Sequence, residues 1–183
     1  MLRSPLGSRR RLLAATLTLT LLLSAAQLPD LVQADDGAAV NCDVDANLLG
    51  LDGEEQAMFV LLNDYRAQYG LEAVQFSRTL QRVALWKGSD MATNHYAEHD
   101  DRFRSWEQRF RDCGYDPEYG YIAENLAGGF ASAAQTLQQW QGSAEHNVHL
   151  LDPQMIVAGI VRVASSDANG WYWAMELGSV AGW

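Results

Sequence analysis

At Pro153 the apolar periodicity of this chain changes, and that change limits the folds open to it. Upstream the spacing is helical. Met58, Leu61, Leu62, Tyr65 and Tyr69 fall on one face of a helix that begins at Glu54 and that Gly70 ends. Ser77 can cap a second helix running to about Asn94, with Leu80, Ala84, Gly88 and Met91 along one side. The small residues in that row let another element approach closely. Ser105-Trp106-Glu107-Gln108 and Ser132-Ala133-Ala134-Gln135 both carry capping-box spacing. The first opens a short helix that Gly114 closes, and the second opens a helix reaching about Trp140. Downstream of Pro153, Ile156 to Val163 and Trp171 to Leu177 are β-branched and aromatic runs. Between them lies Ser165-Ser166-Asp167-Ala168-Asn169-Gly170, where Asn-Gly predicts a hairpin. Tyr121 to Leu126 reads as a third extended segment. Helices first and a hairpin last, with no alternation of strand and helix, predict an α+β fold with a mostly antiparallel sheet.

The start of the chain reads as an export signal. Arg3, Arg9, Arg10 and Arg11 precede an apolar run from Leu12 to Ala26, and Val32-Gln33-Ala34 offers small residues for cleavage before Asp35-Asp36. The run is too short for a bilayer core of about 30 Å, so a retained anchor is the weaker reading. Ser8-Arg9-Arg10-Arg11-Leu12-Leu13 also resembles a twin-arginine signal, and the export route stays open. The expected organisation is a signal peptide at 1–34, an extension at 35–53, one domain at 54–179 and a short tail at 180–183. The expected location is outside the cell or in its envelope.

Cleavage at 34 would leave 9 basic and 22 acidic side chains, a formal charge of −13. Such a surface repels nucleic acid and anionic lipid, which excludes both as expected partners. The remaining length suffices for one core, and a monomer is expected. Cys42 and Cys113, an even pair in an oxidising compartment, are expected to form a disulfide closing a loop of about 70 residues, worth about 4 kcal/mol.

All four histidines, His95, His99, His146 and His149, lie in one window with Glu98, Glu124 and Glu145. Histidine with carboxylate suggests either a divalent metal site or a general acid/base pair. Around them run Asn63-Asp64-Tyr65-Arg66, Asp90-Met91-Ala92, Asn94 to His99, Cys113-Gly114-Tyr115, Ala123-Glu124-Asn125-Leu126-Ala127, Trp140 to His146, Gly159 and Tyr172-Trp173. In this order and spacing the series resembles the CAP (SCP/TAPS) domain of cysteine-rich secretory proteins, antigen 5 and pathogenesis-related class 1 proteins, in its short bacterial form.

That resemblance implies a three-layer α-β-α sandwich around a small antiparallel sheet, with a cleft lined by histidine and glutamate. His99, Glu124 and His146 match the family's cleft positions, and Asn125 and Ser143 stand beside them. Two imidazoles and a carboxylate can hold a divalent ion such as zinc, with His99 and His146 as its nitrogen ligands. The same groups can also form a hydrogen-bonded cluster without metal. The chain departs from the family at Ala123, Glu145, His149 and Ile156-Val157, and Ser143 stands in place of a glutamate, so a full tetrad is not present.

His95-Tyr96-Ala97-Glu98-His99 also spells the H-x-x-E-H zinc-protease pattern, with Glu124 or Glu176 available as a third ligand. The size of the chain and the CAP register both oppose it. Trp86, Trp106, Trp140, Trp171 and Trp173 fall at helix or strand spacing and are expected mainly in the core. Two functions remain. One is a secreted binding module whose cleft takes a small hydrophobic molecule, an envelope component or a protein partner. The other is a metal-dependent hydrolase or protease using His99, Glu124 and His146. No serine or cysteine is well placed as a nucleophile.

Overall fold

A computed structural model describes residues 41–181. The proposed signal peptide at 1–34, most of the extension's first residues and the end of the tail lie outside the described residues. Among the described residues five α-helices are formed: α1 (Gly53–Gln68), α2 (Arg78–Asn94), α3 (Trp106–Asp112), α4 (Ala133–Gln141) and α5 (Ala144–Leu150). They surround a sheet of β1 (Gln75–Phe76), β2 (Ile122–Gly128), β3 (Val157–Ala164) and β4 (Trp171–Gly178) in the order β1-β3-β4-β2. The longer strands are antiparallel, as the hairpin pattern predicts, and β1 adds a parallel pairing to β3. The sheet is therefore mixed. A two-residue strand has no period to detect in the sequence, so β1 was not foreseeable.

Helix starts follow their caps. Asp52 accepts from the Glu54 and Glu55 amides while Glu55 reaches back to the Asp52 amide, a complete capping box. Ser77, Ser105 and Ser132 each accept from an amide three residues on. The sequence reading omitted α5, which is only seven residues long and whose N-cap, Ser143, makes no side-chain capping bond. At the hairpin tip, Gly170 takes a positive φ of 71° and its carbonyl accepts from the Ser165 amide at 2.8 Å.

Strand alternation sorts side chains into two cores. On one face Ala123, Ala127, Ile160, Trp173 and Met175 pack with Met58 and Leu62 of α1 and Leu137 and Trp140 of α4. On the other, Leu126, Val161, Tyr172 and Ala174 pack with Ala84, Leu85 and Met91 of α2. A neighbouring cluster under α3 holds Phe110, Tyr115 and the Cys42–Cys113 disulfide. The three layers agree with the expected sandwich. Gly159 sits where α2 crosses the sheet: a Cβ there would lie 2.2 Å from backbone atoms of Leu80 and Gln81, so only hydrogen fits.

Candidate functional site

β2 is an edge strand, and beside it opens a cleft of about 530 Å³. Glu98, His99, Asp100, Trp106, Ala123, Glu124 and His149 line it. α2 ends at Asn94 because His95 turns left-handed at φ 59°, and the chain then loops through His99 to α3. That loop carries His99 to β2, where its Nδ1 lies 2.7 Å from Glu124 Oε1.

Glu124 is buried, and its other oxygen, Oε2, accepts from Arg109 on α3. Arg109 also donates to Asp101 and, at 3.0 Å, to the carbonyl of His99 itself. Lys87 of α2, fully buried, reaches Asp101 at 3.3 Å. The resulting chain of charges fixes the position and tilt of His99 from three elements. The Glu124 hydrogen bond raises the His99 pKa above its ordinary value, outweighing the partial burial that would lower it. Burial tends to lower Arg109, but Glu124 and Asp101 hold it charged. Burial, with Arg109 next in effect, depresses Lys87.

The opposite wall depends on α5, which three contacts hold. Arg66 of α1 is buried and donates to the carbonyls of Glu72, Leu150, Asp152 and Met155 at 2.8–3.0 Å. Tyr65 donates to Asn147 at 2.9 Å, and Asn125 of β2 donates to the His146 carbonyl at 3.1 Å. These bonds deliver His149 to the cleft. Burial, then the neighbouring His146, lowers the His149 pKa, which favours the neutral imidazole.

The residues singled out in the sequence therefore divide. His99 and Glu124 meet in the cleft. His146 is half-buried on α5, its Nδ1 without a partner among the described residues, and burial followed by the charge of His99 lowers its pKa. Asn125 points to the opposite face of β2 and acts on α5 rather than on the cleft. Ser143 is the N-cap of α5 and does not line the cleft. His149, one of the positions where the chain departs from the family pattern, is a wall of the site.

Zinc fits this arrangement poorly. Both Glu124 oxygens are engaged, His99 Nδ1 is engaged, and no group of three or more histidine, cysteine or acidic side chains among the described residues is placed to hold a metal. The H-x-x-E-H segment is not helical, and its histidines part company. His95 Nδ1 turns to Ser165 at 3.2 Å while His99 turns to Glu124.

Trp106 is among the tryptophans for which a cleft wall is the alternative to the core, but sequence reasoning missed Lys87, Arg109 and Asp101 as parts of the site. A signal was present for two of them. Trp106, Arg109, Phe110 and Cys113 stand at i, i+3, i+4 and i+7, which places an arginine on the apolar face of α3. Lys87 falls likewise among Leu80, Ala84 and Met91 on α2. A charge in a core stripe needs a buried partner.

Solved structures share this architecture. An outer surface protein of Borrelia burgdorferi aligns with a TM-score of 0.62 at 21% identity, covering 70% of this chain and 95% of its own. An extracellular SCP-domain protein of Bacillus anthracis gives 0.58 at 20% identity, and a cysteine-rich secretory protein of Staphylococcus aureus gives 0.51 at 14%. The alignments cover 70% and 72% of this chain but only 44% and 40% of those two proteins. No curated protein matches the chain. The model of the cysteine-rich secretory protein (CAP) family matches residues 59–177, which takes in all five helices but the first turns of α1, and all four strands but the last residue of β4. The chain belongs to the CAP family of cysteine-rich secretory proteins.

Proposed function

We propose that this protein is an exported CAP-domain binding module that holds its ligand in the cleft beside β2. The ligand is a small hydrophobic molecule, a component of the cell envelope or a segment of a protein partner. One observation carries the reading. The His99–Glu124–Arg109 chain fixes a hydrogen-bonding imidazole on the floor of an open cleft, with the Trp106 ring as an apolar wall. Pockets that bind organic ligands combine such walls with a few convergent polar groups. Export rests on the leader pattern, and the outer surface and extracellular proteins of similar fold agree with it. No helix among the described residues is long and apolar enough to cross a membrane.

Hydrolysis is less well supported. An imidazole must be neutral to act as a general base, whereas Glu124 favours the protonated His99. The cleft-lining residues include no serine, threonine or cysteine. The test is organic extraction and mass spectrometry of the exported protein, with His99→Ala and Trp106→Ala prepared alongside. A species that accompanies the wild type should be depleted in both variants. Identical extracts from all three proteins would refute the cleft as the binding site.

A further inference from the structure

Behind the cleft lies a carboxyl group that the site just described does not use. Glu176 of β4 is 0% exposed, and neither of its oxygens has a hydrogen-bond partner among the described residues. The strand register sets it directly opposite Glu124 on one side and Gly159 on the other. Facing residues on paired strands share one side of the sheet, with Cβ atoms about 5 Å apart. Two glutamates are thus packed together in the interior, and one of them already gives both oxygens to His99 and Arg109.

The charges around Glu176 can be followed element by element. β2 contributes Glu124, β3 contributes only the bare Gly159, α2 contributes Lys87 and α3 contributes Arg109. The loop before α3 contributes His99 and Asp101. Three cations, Lys87, Arg109 and Arg104, are already matched by three anions, Asp101, Glu124 and Asp112, through direct ion pairs. An ionised Glu176 would add an unpaired buried charge beside another carboxylate. Neither its desolvation nor that repulsion is offset by a hydrogen bond.

We propose that Glu176 and Glu124 form a pair that holds one proton and one negative charge at neutral pH, with the proton on Glu176, so that Glu124 keeps its charge for Arg109 and His99. Glu176 is then a positioning residue, acting on the ligand through Glu124 and His99. The consequence for recognition is orientation: a charged Glu124 holds the His99 ring in the cleft by its Nδ1, at 2.7 Å. This deepens the proposed binding role and rests on it only for that consequence. Burial, then Glu124, drives Glu176 well above the ordinary carboxyl value, in agreement with the geometry.

Infrared difference spectroscopy of the full exported chain locates the proton. At pH 7 the wild type should show the carbonyl stretch of a protonated carboxyl, and Glu176→Gln should lose it. In Glu124→Gln the band should disappear at a lower pH than in the wild type, because the neighbouring charge that retains the proton is gone. Histidine NMR gives the second readout. The His99 pKa should stay unchanged in Glu176→Gln, where one neutral group replaces another, and should fall in Glu124→Gln. The proposal is overturned by absence of the band in the wild type, by an unmoved band pH in Glu124→Gln, or by a drop in the His99 pKa in Glu176→Gln. Should Glu176→Gln not fold, a pH titration of glutamate-labelled wild type by carbon NMR decides the same point. Extraction results that fail while the band behaves as expected would fell the binding role and leave the proton assignment standing.

Discussion

Truncating Trp140 tests the packing of the layer opposite the charge cluster. Trp140 is fully buried between α4 and the sheet, in the cluster that holds Leu137, Ile160 and Trp173. Its Nε1–H donates to the Leu126 carbonyl at 3.0 Å, which ties α4 to β2. Trp140→Ala removes the indole from a site with rigid neighbours on both sides, and about 3–5 kcal/mol is the ordinary cost. Part of that cost is the bond, since a buried carbonyl left unpaired costs about 1–3 kcal/mol. Trp140→Phe isolates this share, because it keeps most of the apolar contact and discards the donor. In urea, a slope of about 2 kcal/mol per molar converts the alanine loss into a midpoint shift of about 2 M. The assay is urea unfolding of the exported domain followed by circular dichroism, so that the remaining tryptophans do not confuse the signal. An alanine shift below a quarter of that value would show that the cavity closes or that the ring is not packed as described. A phenylalanine variant as stable as the wild type would show that the Nε1 bond contributes nothing.

Other consequences can be checked more briefly. Protein recovered from outside the cell should begin near Asp35 and change mass on reduction and alkylation, and reduction of the Cys42–Cys113 bridge, which spans 71 residues, should cost about 4 kcal/mol; two free thiols would refute it. Gly159→Ala should destabilise by at least the roughly 1–3 kcal/mol usual for overpacking, because the added methyl meets α2 backbone rather than a movable side chain; a neutral result in denaturant melts would contradict the helix–sheet approach. Glu176 has a raised folded pKa, so below about pH 4 both states hold its proton, and as pH rises the unfolded chain releases it first. Wild-type stability is therefore lost relative to Glu176→Gln as pH climbs from 4 toward 7, and melts in which the gap does not widen would refute the sign. His99 has the same sign at higher pH: its stabilising share is fully present below about pH 6.5 and disappears as pH rises through its raised folded value. His99→Gln should flatten that part of the stability profile.

Much of the fold was legible along the chain because local rules govern it. Ser77, Ser105 and Ser132 mark helix starts through bonds made within three residues, and Asn169-Gly170 marks the hairpin through backbone conformation. The row Leu80, Ala84, Gly88 and Met91 announced the face on which α2 meets the sheet, and all four are buried. Elements with weak local signals escaped. β1 has two residues, α5 lacks a side-chain cap, and both exist because neighbours hold them: β3 pairs with β1, and Arg66, Tyr65 and Asn125 hold α5.

The site shows the same division. The order of motifs along the chain named His99 and Glu124, which the fold brings to 2.7 Å across 25 residues of sequence. Spacing could not say that Asn125 would face away from the cleft, that His149 would enter it, or that Glu124 would spend both oxygens on His99 and Arg109 instead of a metal. Those outcomes depend on strand register and on the tilt of short helices, where a shift of one residue reverses the facing of a side chain. The charge state of Glu176 lies furthest from the sequence. A glutamate in a strand is ordinary until the register sets a second glutamate opposite it and packing removes the water from both. By itself the sequence determined the order of helices and strands, the paired cysteines and the residue types available for chemistry. Tertiary structure alone decided which of those residues meet and which of them keep a proton, because contact and desolvation depend on three-dimensional neighbours and not on distance along the chain.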